Sequence, residues 1–130
     1  LTTNDVDGKP WDFNDPAKRL KAESIVRNKK CMLLIGSPMC SAFSQLQNIS
    51  FAKMDPEQVK KVVEYGLRHL EFCLRLYEMQ HKNGLYFLHE HPAGAKSWQH
   101  KDVLRLLEMP GIKRIVSHMC AFGMYQETLD

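Results

Sequence analysis

No stretch of this chain approaches the ~20 consecutive apolar residues that a membrane-spanning helix requires, so no such helix is expected. Cysteine is sparse: Cys31, Cys40, Cys73 and Cys120 are the four, and no two form a C-x-x-C pair. That removes the common zinc and dithiol motifs, and the open spacing does not suggest a disulfide framework. A reducing compartment, cytoplasm or nucleus, is the simpler expectation. There is no initiator methionine, and Leu1 to Asp15 is polar with several acids, unlike a secretory leader. The chain therefore reads as a processed or excised piece of a longer protein. Internal repeats and low-complexity tracts are absent. So is a strong charge of one sign, because the formal balance is only +3. Such a charge tolerates nucleic acid as a partner, but clusters such as Lys18, Arg19, Lys21 and Arg27 read first as the wet faces of helices.

What is present is an ordinary globular composition, 44% hydrophobic and 25% charged over 130 residues, enough for one domain. The expected layout is a loop over 1–14, an α/β core over 15–124 and a tail over 125–130. Trp11 and Phe13 in the opening loop should pack onto the body. Asp15-Pro16 reads as a helix start, with Asp capping free amides and Pro at the first position. Leu20, Ile25 and Val26 give that helix an apolar side, and it should stop near Asn28. Cys31 to Gly36 is a short apolar run, read as a strand buried on both faces, with Cys31 a small core residue. Residues 37–54 show no period and read as a long loop.

Asp55-Pro56-Glu57-Gln58 opens the longest helix with a capping-box pattern. Val59, Val62, Val63, Leu67, Leu70, Leu74 and Tyr77 form one stripe. Glu64-Arg68, Glu71-Arg75 and Glu78-Lys82 are spaced for ion pairs along it. Cys73 falls on an apolar position and reads as core. Gly84 ends the helix. Leu85 to Leu88 is the second expected strand. Ser97 can cap a third helix that turns Val103, Leu104 and Leu107 inward, and Ile112 to Ser117 is the third expected strand. Alternation of helix and strand predicts a mostly parallel sheet of about three strands flanked by helices. Right-handed crossovers then place the carboxyl ends of all strands on one rim.

On that rim the chemistry-bearing residues are Cys40, at the end of a strand and tight loop, and Glu90, at the end of the next strand. A thiol there suits a nucleophile, and a carboxyl beside it suits an acid. The plain alternatives are a small loop cysteine and a surface carboxylate. His89 and His91 bracket Glu90, which raises a thiol hydrolase or transferase with one of them as base. It also raises a metal site completed by His118 or Cys120. The spacing matches no zinc pattern, and no metal is expected. The aromatic residues Trp11, Phe43, Tyr86 and Trp98 read as core rather than base-stacking surface, and Cys120 as a packing residue.

Ser37-Pro38-Met39-Cys40-Ser41-Ala42-Phe43-Ser44 resembles the Pro-Cys-Gln-x-Phe-Ser loop of DNA cytosine-5 methyltransferases, and more closely the Ser-Pro-Pro-Cys-Thr-x-Phe-Ser variant of their relatives. Phe87-Leu88-His89-Glu90-His91-Pro92 is similar to the Glu-Asn-Val or Glu-Asn-Pro strand end of those proteins. Cys120-Ala121-Phe122-Gly123 resembles the Cys-x-Phe-Gly segment of phage and mobile-element methylase-like domains. The likeness runs from about Trp11 to Met124. It implies a partial Rossmann-like methyltransferase fold and a parent protein that methylates cytosine in DNA from S-adenosylmethionine. Cys40 would attack ring carbon 6 of a flipped base, and Glu90 would serve ring nitrogen 3. Ser37, Pro38, Ser41, Phe43, Ser44 and His91 would shape the substrate pocket. Two positions depart from the pattern: Met39 stands beside the nucleophile, and His91 stands where the family carries Asn. No Phe-x-Gly-x-Gly cofactor loop occurs in the chain, so the resemblance implies cofactor binding by the parent and an inactive isolated fragment. The alternative is a non-catalytic nucleic-acid or protein binding module that retains the fold.

Overall fold

The computed structural model describes residues 4–40, 42–43, 51–118, 121 and 123. Helix α1 spans Pro16–Lys29, capped by the Asp15 side chain, which accepts from the Ala17 amide. Lys30 leaves it in the left-handed conformation at φ 47°, its amide bonded to the Val26 carbonyl. Strand β1 is Leu33–Gly36. Helix α2, Pro56–Lys82, starts at Asp55, whose side chain caps the Glu57 amide. Strand β2 is Tyr86–His89. A 3-10 turn over Lys96–Gln99 leads into the short helix α3, Lys101–Leu107. The chain is thus α/β.

The two strands pair in parallel, Leu33 with Tyr86 through Gly36 with His89. A parallel pair needs a crossover, and α2 supplies it. Leu34 and Phe87 face inward and pack with Leu70, Leu74 and Tyr77 of α2 and with Val103 and Leu106 of α3. The opposite side of α2 presents Phe72 and Leu76 to Ala22 of α1, where Trp11 and Phe13 also pack. Helix α2 is therefore the central element, with sheet on one side and α1 on the other.

Several expectations need correction. Among the described residues the sheet has two strands, not three. Residues 112–118 carry no sheet pairing, and Ile115 and Val116 are exposed. The strands are covered on one face only. Leu33, Ile35, Tyr86 and Leu88 lie open on the other, and Cys31 is exposed as well. Leu20 is exposed, and α1 meets the core through Ala22 together with the expected Val26. Its buried Lys18 pairs with Asp5 at 2.7 Å and Asp7 at 2.9 Å. Ser97 does not cap α3; the His100 side chain does, accepting from the Asp102 amide. Val103 and Leu106 point inward while Leu104 is exposed. Of the ion pairs expected along α2, Glu78–Lys82 forms at 3.2 Å. Arg68 instead reaches Asn14, and Arg75 reaches Glu23.

Candidate functional site

The parallel register decides where the candidate residues meet. Gly36 and His89 are partners at the carboxyl ends of their strands, and the Glu90 amide donates to the Gly36 carbonyl at 3.0 Å. The chain leaving β1 and the chain leaving β2 therefore start side by side. The Ser37 hydroxyl donates to Oε2 of Glu90 at 2.8 Å. One residue on, buried Pro38 offers its carbonyl to Nε2 of His91 at 3.0 Å. A carbonyl oxygen only accepts, so Nε2 carries the proton and Nδ1 takes the hydroxyl proton of Ser97. His91 thus uses both ring nitrogens to fasten the loop after β1 to the loop before α3. Burial pushes this imidazole below its ordinary pKa of 6.5, which keeps it in the neutral form that the clamp requires.

Cys40 is half-buried, and its carbonyl accepts from the Phe43 amide at 2.9 Å to close a tight turn. Phe43 is buried, its carbonyl accepts from the Lys96 amide, and its ring lies 6.0 Å from that of His91. Helix α2 comes so near this loop at Gly66 that a Cβ there would lie 2.5 Å from Cβ of Ala42. The cysteine loop is thus held by Ser37, Pro38 and Phe43, and glycine at 66 gives it room. Met39 is exposed. Ser41 and Ser44 lie outside the described residues, as does Cys120.

Below the rim a buried polar line runs from the sheet into α2. The Tyr77 hydroxyl sits 2.9 Å from Nδ1 of His89. Tyr77 also stacks on Phe87 at 4.7 Å. A Cβ at Gly36 would overlap that hydroxyl, so glycine is required by the tyrosine beneath it. Burial, with His91 nearby, brings the His89 pKa down to about 4. Burial lifts the Tyr77 hydroxyl well above its ordinary range and the Cys73 thiol to about 11. His91 spends both ring nitrogens on its two partners and so does not serve Cys40 as a base, while His89 meets Tyr77 through Nδ1.

Outside β2 a groove of about 750 Å³ runs beside the strand to residues 111–117. Glu90, His91, Trp98 and Arg114 border it; Cys40 is not among its lining residues. The Arg114 guanidinium stacks 4.1 Å above the Trp98 ring and donates to the Ala93 carbonyl. Trp98 donates its ring N–H to the Pro92 carbonyl at 2.8 Å. From the sequence Ser97 read as a helix cap and Tyr77 as core, and Arg114 was not singled out; their contacts with His91, His89 and Trp98 depend on how the loops fold back. No motif marks them.

The described residues do not fit S-adenosylmethionine. Its adenosine and sulfonium need close backbone approach at a glycine-rich turn after a strand. Gly36 is explained by Tyr77, and Gly8, Gly84 and Gly111 occupy left-handed turns with open space around them. Three of the four ring nitrogens of His89 and His91 face Tyr77, Pro38 and Ser97, His118 is exposed, and among the described residues these histidines do not share a cluster of metal-binding donors. Among the described residues one other cluster, Glu71, His100 and Asp102, has the donor types for a cation. Nδ1 of His100 already accepts from the Asp102 amide as the cap of α3, and Nε2 lies 3.5 Å from Glu71. The cluster is accounted for as a helix cap with a side-chain pair. Comparison of the chain with protein-family models, with curated proteins and with solved structures finds no match.

Proposed function

We propose that this chain is the nucleophile-bearing part of a Rossmann-like DNA cytosine-5 methyltransferase domain, whose parent protein methylates cytosine from S-adenosylmethionine. The supporting observation is the Ser37–Glu90 hydrogen bond at the common rim of β1 and β2, which brings the Cys40 loop and Glu90 to one edge of a parallel pair. The methyl donor is held by residues other than these.

The chemistry assigned to this chain stops at addition. The Cys40 sulfur forms a bond to ring carbon 6 of an extruded cytosine, and the 5,6 double-bond pair moves to make carbon 5 nucleophilic. Glu90 donates a hydrogen bond or proton to ring nitrogen 3 and steadies the charge that addition creates. Ser37 holds the Glu90 carboxyl, and His91 holds the backbone of the cysteine loop. Without a methyl donor, carbon 5 takes a proton from water, and reversal releases the original hydrogen. Solvent exchange at carbon 5 therefore reports the step by itself. DNA labelled with tritium at cytosine carbon 5 should lose label to water with this chain, and Cys40→Ser should abolish the loss. Equal release by the Cys40→Ser protein would contradict the assignment.

A second reading has one observation behind it: among the described residues Gly36 is taken up by Tyr77, and Gly8, Gly84 and Gly111 sit in open turns rather than in a cofactor cradle. It is a non-catalytic binding module that keeps the fold and associates with nucleic acid or protein. It predicts DNA association that falls with salt and survives Cys40→Ala.

A further inference from the structure

Where α1 crosses α2, three arginines converge on one shallow depression of about 330 Å³ floored by Phe72. Arg68 and Arg75 lie seven residues apart on the same stripe of α2, and Arg19 comes from α1. Each guanidinium is fixed from one side. Arg19 donates from Nη1 to the carbonyls of Phe13, at 2.6 Å, and Asn14, at 3.0 Å. Arg68 donates from Nη1 to Oδ1 of Asn14 at 3.0 Å. Arg75 donates from Nη2 to Oε1 of Glu23 at 3.1 Å. These anchors occupy one terminal nitrogen apiece, and a guanidinium carries further N–H donors in a planar fork. Only one carboxylate, Glu71, shares the lining, and its Oε1 lies 3.5 Å from His100.

Glu23 offsets part of the Arg75 charge, but Arg19 and Arg68 are held by neutral oxygens, so the hollow keeps a positive excess that an anion would relieve. A carboxylate ligand offers two oxygens, suited to one fork. A terminal phosphoryl group offers three oxygens and up to two charges, and two successive phosphodiesters of one strand offer four non-bridging oxygens and two charges, so either suits three forks arranged around a point. The volume is at the low end of small-ligand pockets, which run from about 300 Å³. It accepts the phosphate and leaves the rest of the molecule outside.

We infer that Arg19, Arg68 and Arg75 form a phosphate-binding site, for a phosphodiester of a nucleic-acid backbone or the phosphate of a small molecule. The inference rests on the α1–α2 crossing and is independent of Cys40, Glu90 and methyl transfer.

The test is nitrogen-15 NMR of the arginine side-chain Nε–H signals, titrated with inorganic pyrophosphate and, separately, with a short DNA duplex. Sodium chloride at matched ionic strength is the control. The Arg19, Arg68 and Arg75 signals should shift together with a phosphate ligand and stay still with chloride. A double R68Q/R75Q variant, changed at exposed positions only, should weaken the tighter ligand about tenfold and lower the salt dependence of DNA binding. Circular dichroism of the variant establishes that it folds. Saturation at lower phosphate concentration by DNA than by pyrophosphate assigns the site to a nucleic-acid backbone, and the reverse assigns it to a free phosphorylated molecule. Signals that follow chloride as closely as phosphate, or a folded double variant that binds both probes like the original, overturn the site.

Discussion

Gly36 sits between the two functions of this fold, because its missing side chain makes room for the Tyr77 hydroxyl while its carbonyl fixes the Glu90 amide. Gly36→Ala should force Tyr77 out of its stack on Phe87 and cost about 1–3 kcal/mol, read from the urea midpoint. Gly66 has the corresponding role at the cysteine loop. Gly66→Ala gains helix propensity yet pushes against Ala42. The expected result is little net change in stability with faster alkylation of Cys40, because its loop is displaced. Ser97→Ala leaves Nδ1 of buried His91 without its hydroxyl partner and should cost about 1–3 kcal/mol. Pro38 and Ser97 were both singled out in the sequence, but not as the two partners of His91, because a backbone carbonyl and a loop hydroxyl carry no pairing signal. The position of Cys40 and Glu90 at strand ends was legible, because a short apolar run ending in Gly-Ser-Pro carries its own stop signal.

At the scale of elements, α2 was the most readable part. Its cap, its apolar stripe and its glycine stop all lie within the segment, and local rules suffice. Its second apolar side, Phe72 and Leu76, was missed because what covers it, Ala22 and Val26 of α1 with Trp11 and Phe13 of the opening loop, lies far away along the chain. The strands were legible as strands but misread as doubly covered. A continuous apolar run looks the same whether its second face is packed or bare, and here Leu33, Ile35, Tyr86 and Leu88 stay open. Ile112 to Ser117 has strand composition but gains no ladder partner, and composition does not supply one. Gln80 is the least conspicuous structural residue in α2. It is buried, and its Nε2 donates to the carbonyls of Cys31, at 2.9 Å, and Tyr86, at 3.0 Å, tying both strand entries to the helix. Gln80→Leu should remove both bonds, leave the Cys31 carbonyl without this donor and lower stability by about 1–2 kcal/mol, with faster amide exchange concentrated in β1 and β2.

Across the whole molecule, buried histidines set the acid limit. His89 is held near pKa 4 in the fold against 6.5 for an ordinary histidine. Between those values the unfolded chain binds a proton that the folded chain does not. Stability therefore falls as pH drops through that window, and the His89 share is wholly lost below it. His69 and His91 shift in the same direction through burial. With allowance for partial solvent contact, the His89 share is on the order of 1–2 kcal/mol. Asp5 acts at still lower pH. Its bonds to Lys18 and Lys21 hold its carboxyl well below the ordinary 3.8, so its contribution is present above that value and fades beneath it. A urea midpoint followed against pH should slope downward from near neutrality, and His89→Gln should flatten the slope between 6.5 and 4.

The most direct measurement concerns the cysteine loop itself. An oligonucleotide carrying 5-azacytosine has a more electrophilic carbon 6 and a nitrogen at position 5 that takes a proton. Addition can then be trapped with no methyl donor present. Intact-protein mass spectrometry should show one added oligonucleotide, mapped by digestion to Cys40, absent from Cys40→Ser and strongly reduced in Glu90→Gln. An unmodified protein, or an adduct carried by Cys31 or Cys73, would contradict the account.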